Sequence, residues 1–117
     1  MERRLAAILS ADMVSYSRHI REDEDGTIMA LKDLRADLID PKILEHNGRI
    51  VKLMGDGILV EFSSAVGAVL AATELQHAMV DQNAGKAEQK RIEFRIGINL
   101  GDVVIDGDDI QGDGVNI

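Results

Sequence analysis

Two aspartates far apart in the chain stand where carboxylates can be aimed. Asp12 follows the apolar run "LAAILSA", and Asp56 sits between two glycines in "IVKLMGDGILVEF". If the strands that carry them lie side by side, the two side chains meet at one edge of the sheet. Such a pair holds hard divalent cations like Mg²⁺ or Mn²⁺, which also take phosphate oxygens. Two cations so held can activate an attacking hydroxyl and offset charge on the departing oxygen of an in-line phosphoryl displacement. "MVSYS", directly after Ala11-Asp12, reads as a turn into a helix whose free amides favour a triphosphate. Each part also has a plainer reading. Asp and Gly are what turns select, a strand-end aspartate can cap the next helix, and Lys52 suits an edge or snorkelling lysine. The combination within one topology is what favours the functional reading.

The elements that would carry these residues follow from the pattern. "LAAILSADMVSY" is a nearly unbroken apolar run, the mark of a central strand covered on both faces. "REDEDGTIMALKDLRADLIDPKILEHNG" opens on acidic residues that complement a helix dipole and repeats Ile28, Leu31, Leu34, Leu38 and Ile39 at helical spacing. Pro41 predicts a kink or break near Ile39-Asp40, and Asn47-Gly48 closes the segment. "RIVKLM" and "GILVEF" form a hairpin around Gly55-Asp56-Gly57. A serine-capped helix follows, with Val66, Val69, Leu70, Thr73, Leu75 and Met79 along it, ending near Gly85. "RIEFRIGINLGDVVI" is a further strand, and "DGDDIQGDGVNI" a loop rich in Gly and Asp that leads towards a helix. Strand, helix, strand, strand, helix, strand predicts an α+β fold, the ferredoxin-like split βαβ sandwich, with a mainly antiparallel sheet and helices on one face.

Bulk properties narrow the function. The chain has 117 residues, which suits one domain, with 45% hydrophobic and 29% charged residues. Aromatic residues are only 3%, so the core must be aliphatic. A net charge of −8 argues against a nucleic-acid binder, which needs a basic face, but not against a nucleotide met through bound cations. No apolar run reaches the ~20 residues of a membrane helix. The absence of cysteine removes thiol catalysis and thiolate metal sites, and a cytoplasmic setting is the expectation. The loop "DGDDIQGDGVNI" fails as a calcium hand, because counting from Asp106 puts Gln111 sixth and Ile117 twelfth, where glycine and an acid are needed. His19, His46 and His77 are scattered and receive no role.

Four stretches, "ILSADMVSYS", "IVKLMGDGILVEF", "FRIGINLGDV" and "DIQGDGVNI", resemble in order the signature blocks of class III adenylate and guanylate cyclase catalytic domains, of the bacterial type. The resemblance spans nearly the whole chain and implies that residues 1–117 are the N-terminal part, about two-thirds, of such a domain. It implies Asp12 and Asp56 as ligands of two Mg²⁺ or Mn²⁺ ions, with the Met13 backbone carbonyl as a further ligand. The backbone of Val14, Ser15, Tyr16 and Ser17 would then hold the phosphates. Ser17 keeps the hydroxyl of the family's threonine, whereas Ser15 stands where glycine is common.

Lys52 falls where ATP-using members carry lysine and GTP-using members glutamate, and Asp109 matches the second base-reading position. The chemistry agrees with adenine: N1 accepts from a lysine and N6 donates to a carboxylate, whereas guanine reverses that edge. Asn116 matches the asparagine that orients the ribose. The family's transition-state arginine would lie four residues beyond it, outside this chain. Asp102 stands where some members place a phosphate-binding arginine, which an aspartate cannot replace.

The resemblance therefore implies conversion of ATP to 3′,5′-cyclic AMP and pyrophosphate. It also implies a homodimer in which Lys52, Asp109 and Asn116 act on the partner's nucleotide, and little or no activity for this stretch alone. Two other readings share the fold. One is a diguanylate-cyclase-like or polymerase-palm enzyme, whose usual hairpin motif is absent. The other is a catalytically inactive nucleotide sensor or interaction module.

Overall fold

A computed structural model describes residues 2–106 and 109–111. The elements run β1 (Glu2–Met13), α1 (Tyr16–Glu22), α2 (Glu24–Leu34), α3 (Asp40–Glu45), β2 (Gly48–Met54), β3 (Gly57–Phe62), α4 (Ala65–Asn83), β4 (Phe94–Asp106) and β5 (Asp109–Gln111). A π-helical turn, Arg35–Ile39, joins α2 to α3, and a short 3-10 turn, Glu88–Lys90, precedes β4. The strands form one sheet in the order β2-β3-β1-β4-β5, with every ladder antiparallel. β3 therefore lies between β1 and β2, which makes the expected split βαβ arrangement.

β1 is central, and its sequence shows why. Ala7, Leu9 and Ala11 join the cluster under the helices, with Ile58, Val60 and Phe62 of β3. Ala6 and Ile8 point to the opposite face, against Leu59 and Val51. A strand covered on both faces reads as a continuous apolar run. On the helical side α4 buries Ala68, Ala71, Leu75 and Met79, while Val66, Val69 and Val80 are exposed. Small alanines let its backbone approach the sheet, so the larger valines turn outward. Ser64 caps α4 by accepting from the Gly67 amide at 2.9 Å.

The turn after Asp12 leads into α1 at Tyr16, and the acidic run opens α2 with Glu24 and Asp25 in its first turn, both as expected. Asp23 separates the two helices by accepting from the Gly26 amide at 3.0 Å. Two local features differ from the expectation. Pro41 does not break the helix: it sits in the first turn of α3, just after the π turn. There the Asp40 amide donates to the Arg35 carbonyl five residues back, so a widened turn precedes the residue that lacks an N–H. Finally, Asp109–Gln111 is a strand rather than loop, pairing with Val104–Asp106. β4 is 13 residues long, and β5 comes within 8 Å of β2, although they lie at opposite ends of the pairing order. Among the described residues no helix is long and apolar enough to cross a membrane.

Candidate functional site

β1 and β3 pair so that Asp12 stands opposite Gly57, the residue after Asp56. The Met13 amide donates to the Asp56 carbonyl at 2.8 Å, tying the hairpin tip to the end of β1. The Cα atoms of Asp12 and Asp56 are therefore roughly 6–7 Å apart, judged from opposed and diagonal strand neighbours. One open groove is lined by both aspartates together with Ser10, Met54, Gly57, Arg95 and Gly97. Along β1, even-numbered residues face away from the helices, so Asp12 lies on the open side of the sheet. A more apolar cavity behind the tip, among Leu31, Ile39, Leu75, Met79 and Phe94, offers little for a nucleotide to bond.

The tip is built for this approach. Met54 and Gly57 pair across a two-residue loop, and among the described residues only Gly85 is a glycine with positive φ. Gly57 is required for another reason: a Cβ there would stand 2.4 Å from the Ala11 carbonyl oxygen of β1. Gly55 is more permissive, with the Tyr16 hydroxyl 3.5 Å from such an atom. Tyr16 thus underlies the tip.

In the turn after β1, the Val14 amide is already committed to the Glu93 carbonyl at 2.8 Å. Ser15 adopts φ 56°, ψ 37°, the left-handed conformation that glycine takes more readily. Its carbonyl accepts the first helical bond, from His19 at 3.1 Å, and no side chain caps α1. The amides of Tyr16, Ser17 and Arg18 consequently have no partner within the helix. Met13 is buried, 1% exposed, with Met79 and Ile92.

Lys52 is exposed on β2. A bulge between Ile50 and Lys52 brings it opposite Leu59, which belongs to the cluster on the open face. Two strands and two residues separate it from Asp12, roughly 12 Å between Cα atoms. The fold does not bring Lys52 to its own carboxylates. Asp109 begins β5, whose approach to β2 brings its strand near that of Lys52. Asn116 lies outside the described residues.

Arg95, to which the sequence reading gave no role, stands directly opposite Asp12 on β4. Its Nη2 donates to Asp12 Oδ2 at 3.1 Å and its Nε to Oδ1 at 3.4 Å. The carboxylate thus already holds a cation. With two hard oxygen donors on adjoining strand ends and Asp12 in contact with solvent, the residues present fit a divalent metal. Two other acidic groupings are already engaged by cations. Glu61 is buried but accepts from Arg4 and lies 3.6 Å from Arg49. Glu45, His46 and Glu74 form a possible ligand group between α3 and α4. Lys42 occupies it, donating to Glu45 at 3.1 Å and Glu74 at 2.8 Å.

Comparisons give this geometry a family. No protein-family model matches the chain. A Rhizobium meliloti (strain 1021) protein provisionally named adenylate cyclase 3 is 46% identical over 117 residues, covering 100% of this chain and 20% of that protein. The crystal structure of an adenylate/guanylate cyclase/hydrolase from Silicibacter pomeroyi is 46% identical and superposes with a TM-score of 0.92, covering 98% of this chain and 67% of that one. The chain belongs to the class III adenylate/guanylate cyclase domain family. The guanylyl cyclase Cya2 shares this cyclase fold with a TM-score of 0.79 at 25% identity, over 98% of this chain and 67% of that one. Relatives are thus named for either nucleotide, and cyclase membership alone does not fix the base. The chain spans only a fifth of the length of the Rhizobium meliloti protein.

Proposed function

We propose that this chain is the adenylate-type part of a cyclase catalytic domain that converts ATP to 3′,5′-cyclic AMP and pyrophosphate in the cytoplasm. The observation that carries the reading is the meeting of Asp12 and Asp56 at the joined ends of β1 and β3, on the open face. Two divalent cations held there would supply an activated 3′ hydroxyl and charge relief on the departing pyrophosphate. The two carboxylates bind and orient, with the Met13 carbonyl as a further ligand. The turn Val14–Ser17 faces the phosphates, and its free amides after Val14 suit anionic oxygens. Lys52 and Asp109 read adenine, and Asn116 orients the ribose. These three act on the nucleotide of a partner chain in a homodimer. The roughly 12 Å between Lys52 and its own Asp12 supports that division.

The test is product formation. The protein extended to the length of its solved relatives, given Mn²⁺ and either ATP or GTP, should release cyclic AMP and much less cyclic GMP. The 117-residue chain should release little of either. ATP binding without product in the extended protein would favour a nucleotide sensor of the same fold. Preferential cyclic GMP production would overturn the assignment of Lys52 and Asp109.

A further inference from the structure

Arg95 meets Asp12 through both guanidinium edge nitrogens, one to each carboxylate oxygen. The pair is open to water, with the arginine side chain 70% and the aspartate 43% exposed. An exposed ion pair of this kind is ordinarily worth little to stability. Its position gives it another consequence. A divalent cation binds carboxylate oxygens at about 2.0–2.1 Å for Mg²⁺ and tolerates little distortion of its octahedron. A guanidinium forked over both oxygens of Asp12 occupies the same negative charge and repels the incoming ion. The remaining acid of the groove, Asp56, forms no ion pair among the described residues and is left to bind first. Arg95 reaches across from β4, which neither carries a proposed ligand nor forms the hairpin, and its exposed side chain is free to swing clear.

We infer that Arg95 is a surrogate cation at Asp12, which a divalent metal must displace before the site assembles. The inference rests on the reading of Asp12 and Asp56 as metal ligands. Arg95 then sets the metal concentration at which the groove becomes competent. In the metal-free chain it keeps Asp12 neutralised and aimed at the groove. In this role it acts through Asp12, before nucleotide binds.

The experiment is a Mn²⁺ titration of the 117-residue chain without nucleotide, following free Mn²⁺ by electron paramagnetic resonance. Arg95→Gln should bind Mn²⁺ about 3- to 10-fold more tightly than wild type, the range expected for removing an exposed pair and a nearby like charge. Arg95→Lys, which keeps the charge but loses the fork, should tighten binding by less, about 2-fold. A purely structural arginine would leave affinity unchanged or weaken it on substitution. Unchanged or weaker binding in both variants, each with a wild-type circular dichroism spectrum, overturns the surrogate role. Should Asp56→Asn still abolish Mn²⁺ binding in that case, the metal site itself stands. If wild type binds no Mn²⁺, or neither Asp12→Asn nor Asp56→Asn alters its binding, the metal reading falls and the surrogate falls with it.

Discussion

Asp56 has one backbone task and one proposed side-chain task, and substitution can separate them. Its carbonyl receives the Met13 amide whatever the side chain is, so Asp56→Ala should keep the hairpin tied to β1. Its carboxylate is the part that metal chemistry needs. In the extended protein this variant should melt like wild type yet lose about 10²-fold or more of Mn²⁺-dependent cyclic AMP formation. Activity within a few-fold of wild type would return Asp56 to a turn residue. A second single-residue prediction concerns pH. Burial first, and then the adjacent Arg18, hold the His19 imidazole below its ordinary 6.5. The folded chain refuses a proton that the unfolded chain accepts, so this contribution is intact above 6.5 and declines as pH falls through that value. His19→Gln should therefore flatten the fall in denaturant midpoint between about pH 7.5 and 5.5. Glu74, whose carboxyl is lowered chiefly by the hydrogen bond from Lys42, keeps its contribution above its ordinary 4.5 and loses it only as pH falls below that, in a separate window. Of the proposed site residues, Asp12, Asp56 and Lys52 stand out in the sequence because each breaks an apolar pattern. Arg95 was not: one arginine in an alternating strand is ordinary, and only the pairing of β1 with β4 reveals that it faces Asp12.

At the scale of elements, the hairpin tip depends on how closely β3 approaches β1. Gly57 has no side chain because the Ala11 carbonyl would be 2.4 Å from one, and a backbone atom in a central strand cannot move aside. Gly57→Ala should cost about 1–3 kcal/mol, as overpacking usually does, and should loosen the tie between the two aspartates. Gly55→Ala meets only the Tyr16 hydroxyl at 3.5 Å, an ordinary contact, and should stay within about 0.5 kcal/mol of wild type. Urea denaturation of the two variants checks the contrast, and equal costs would refute the close-approach argument. The sequence shows two glycines around Asp56 but cannot say which one is needed, because that depends on a neighbouring strand. The same limit explains the helical layer. Pro41 correctly marks an irregularity, but whether the chain breaks or widens is decided by packing. Leu34, Leu38 and Ile39 all pack on the core, so a π turn that keeps them there replaces a break. The acidic run does start a helix, α2, where Glu24 and Asp25 fill the first turn, whereas α1 carries no acidic first turn or side-chain cap to announce it.

For the whole molecule, the separation of Lys52 from Asp12 has a consequence that no single chain can display. Both lie on the open face, yet the strand spacing holds their backbones roughly 12 Å apart, which suits opposite ends of nucleotides bound to different chains. If each site takes its carboxylates from one chain and its base-reading pair from the other, Asp56→Ala and Lys52→Glu damage different halves of every site. Each variant alone then has two defective sites in its dimer. A mixed dimer puts both defects into one site and leaves the other whole. With random pairing, half of the dimers are mixed and each has one of two sites intact, so an equimolar mixture should recover about a quarter of wild-type cyclic AMP formation. The two variants of the extended protein are inactive separately under this scheme, and recovery should follow the rate at which subunits exchange. A mixture no more active than its components, although sedimentation shows mixed dimers, would mean that each chain builds its site alone. Lys52 would then be an exposed strand lysine, and the folding of β5 towards β2 would be a matter of packing.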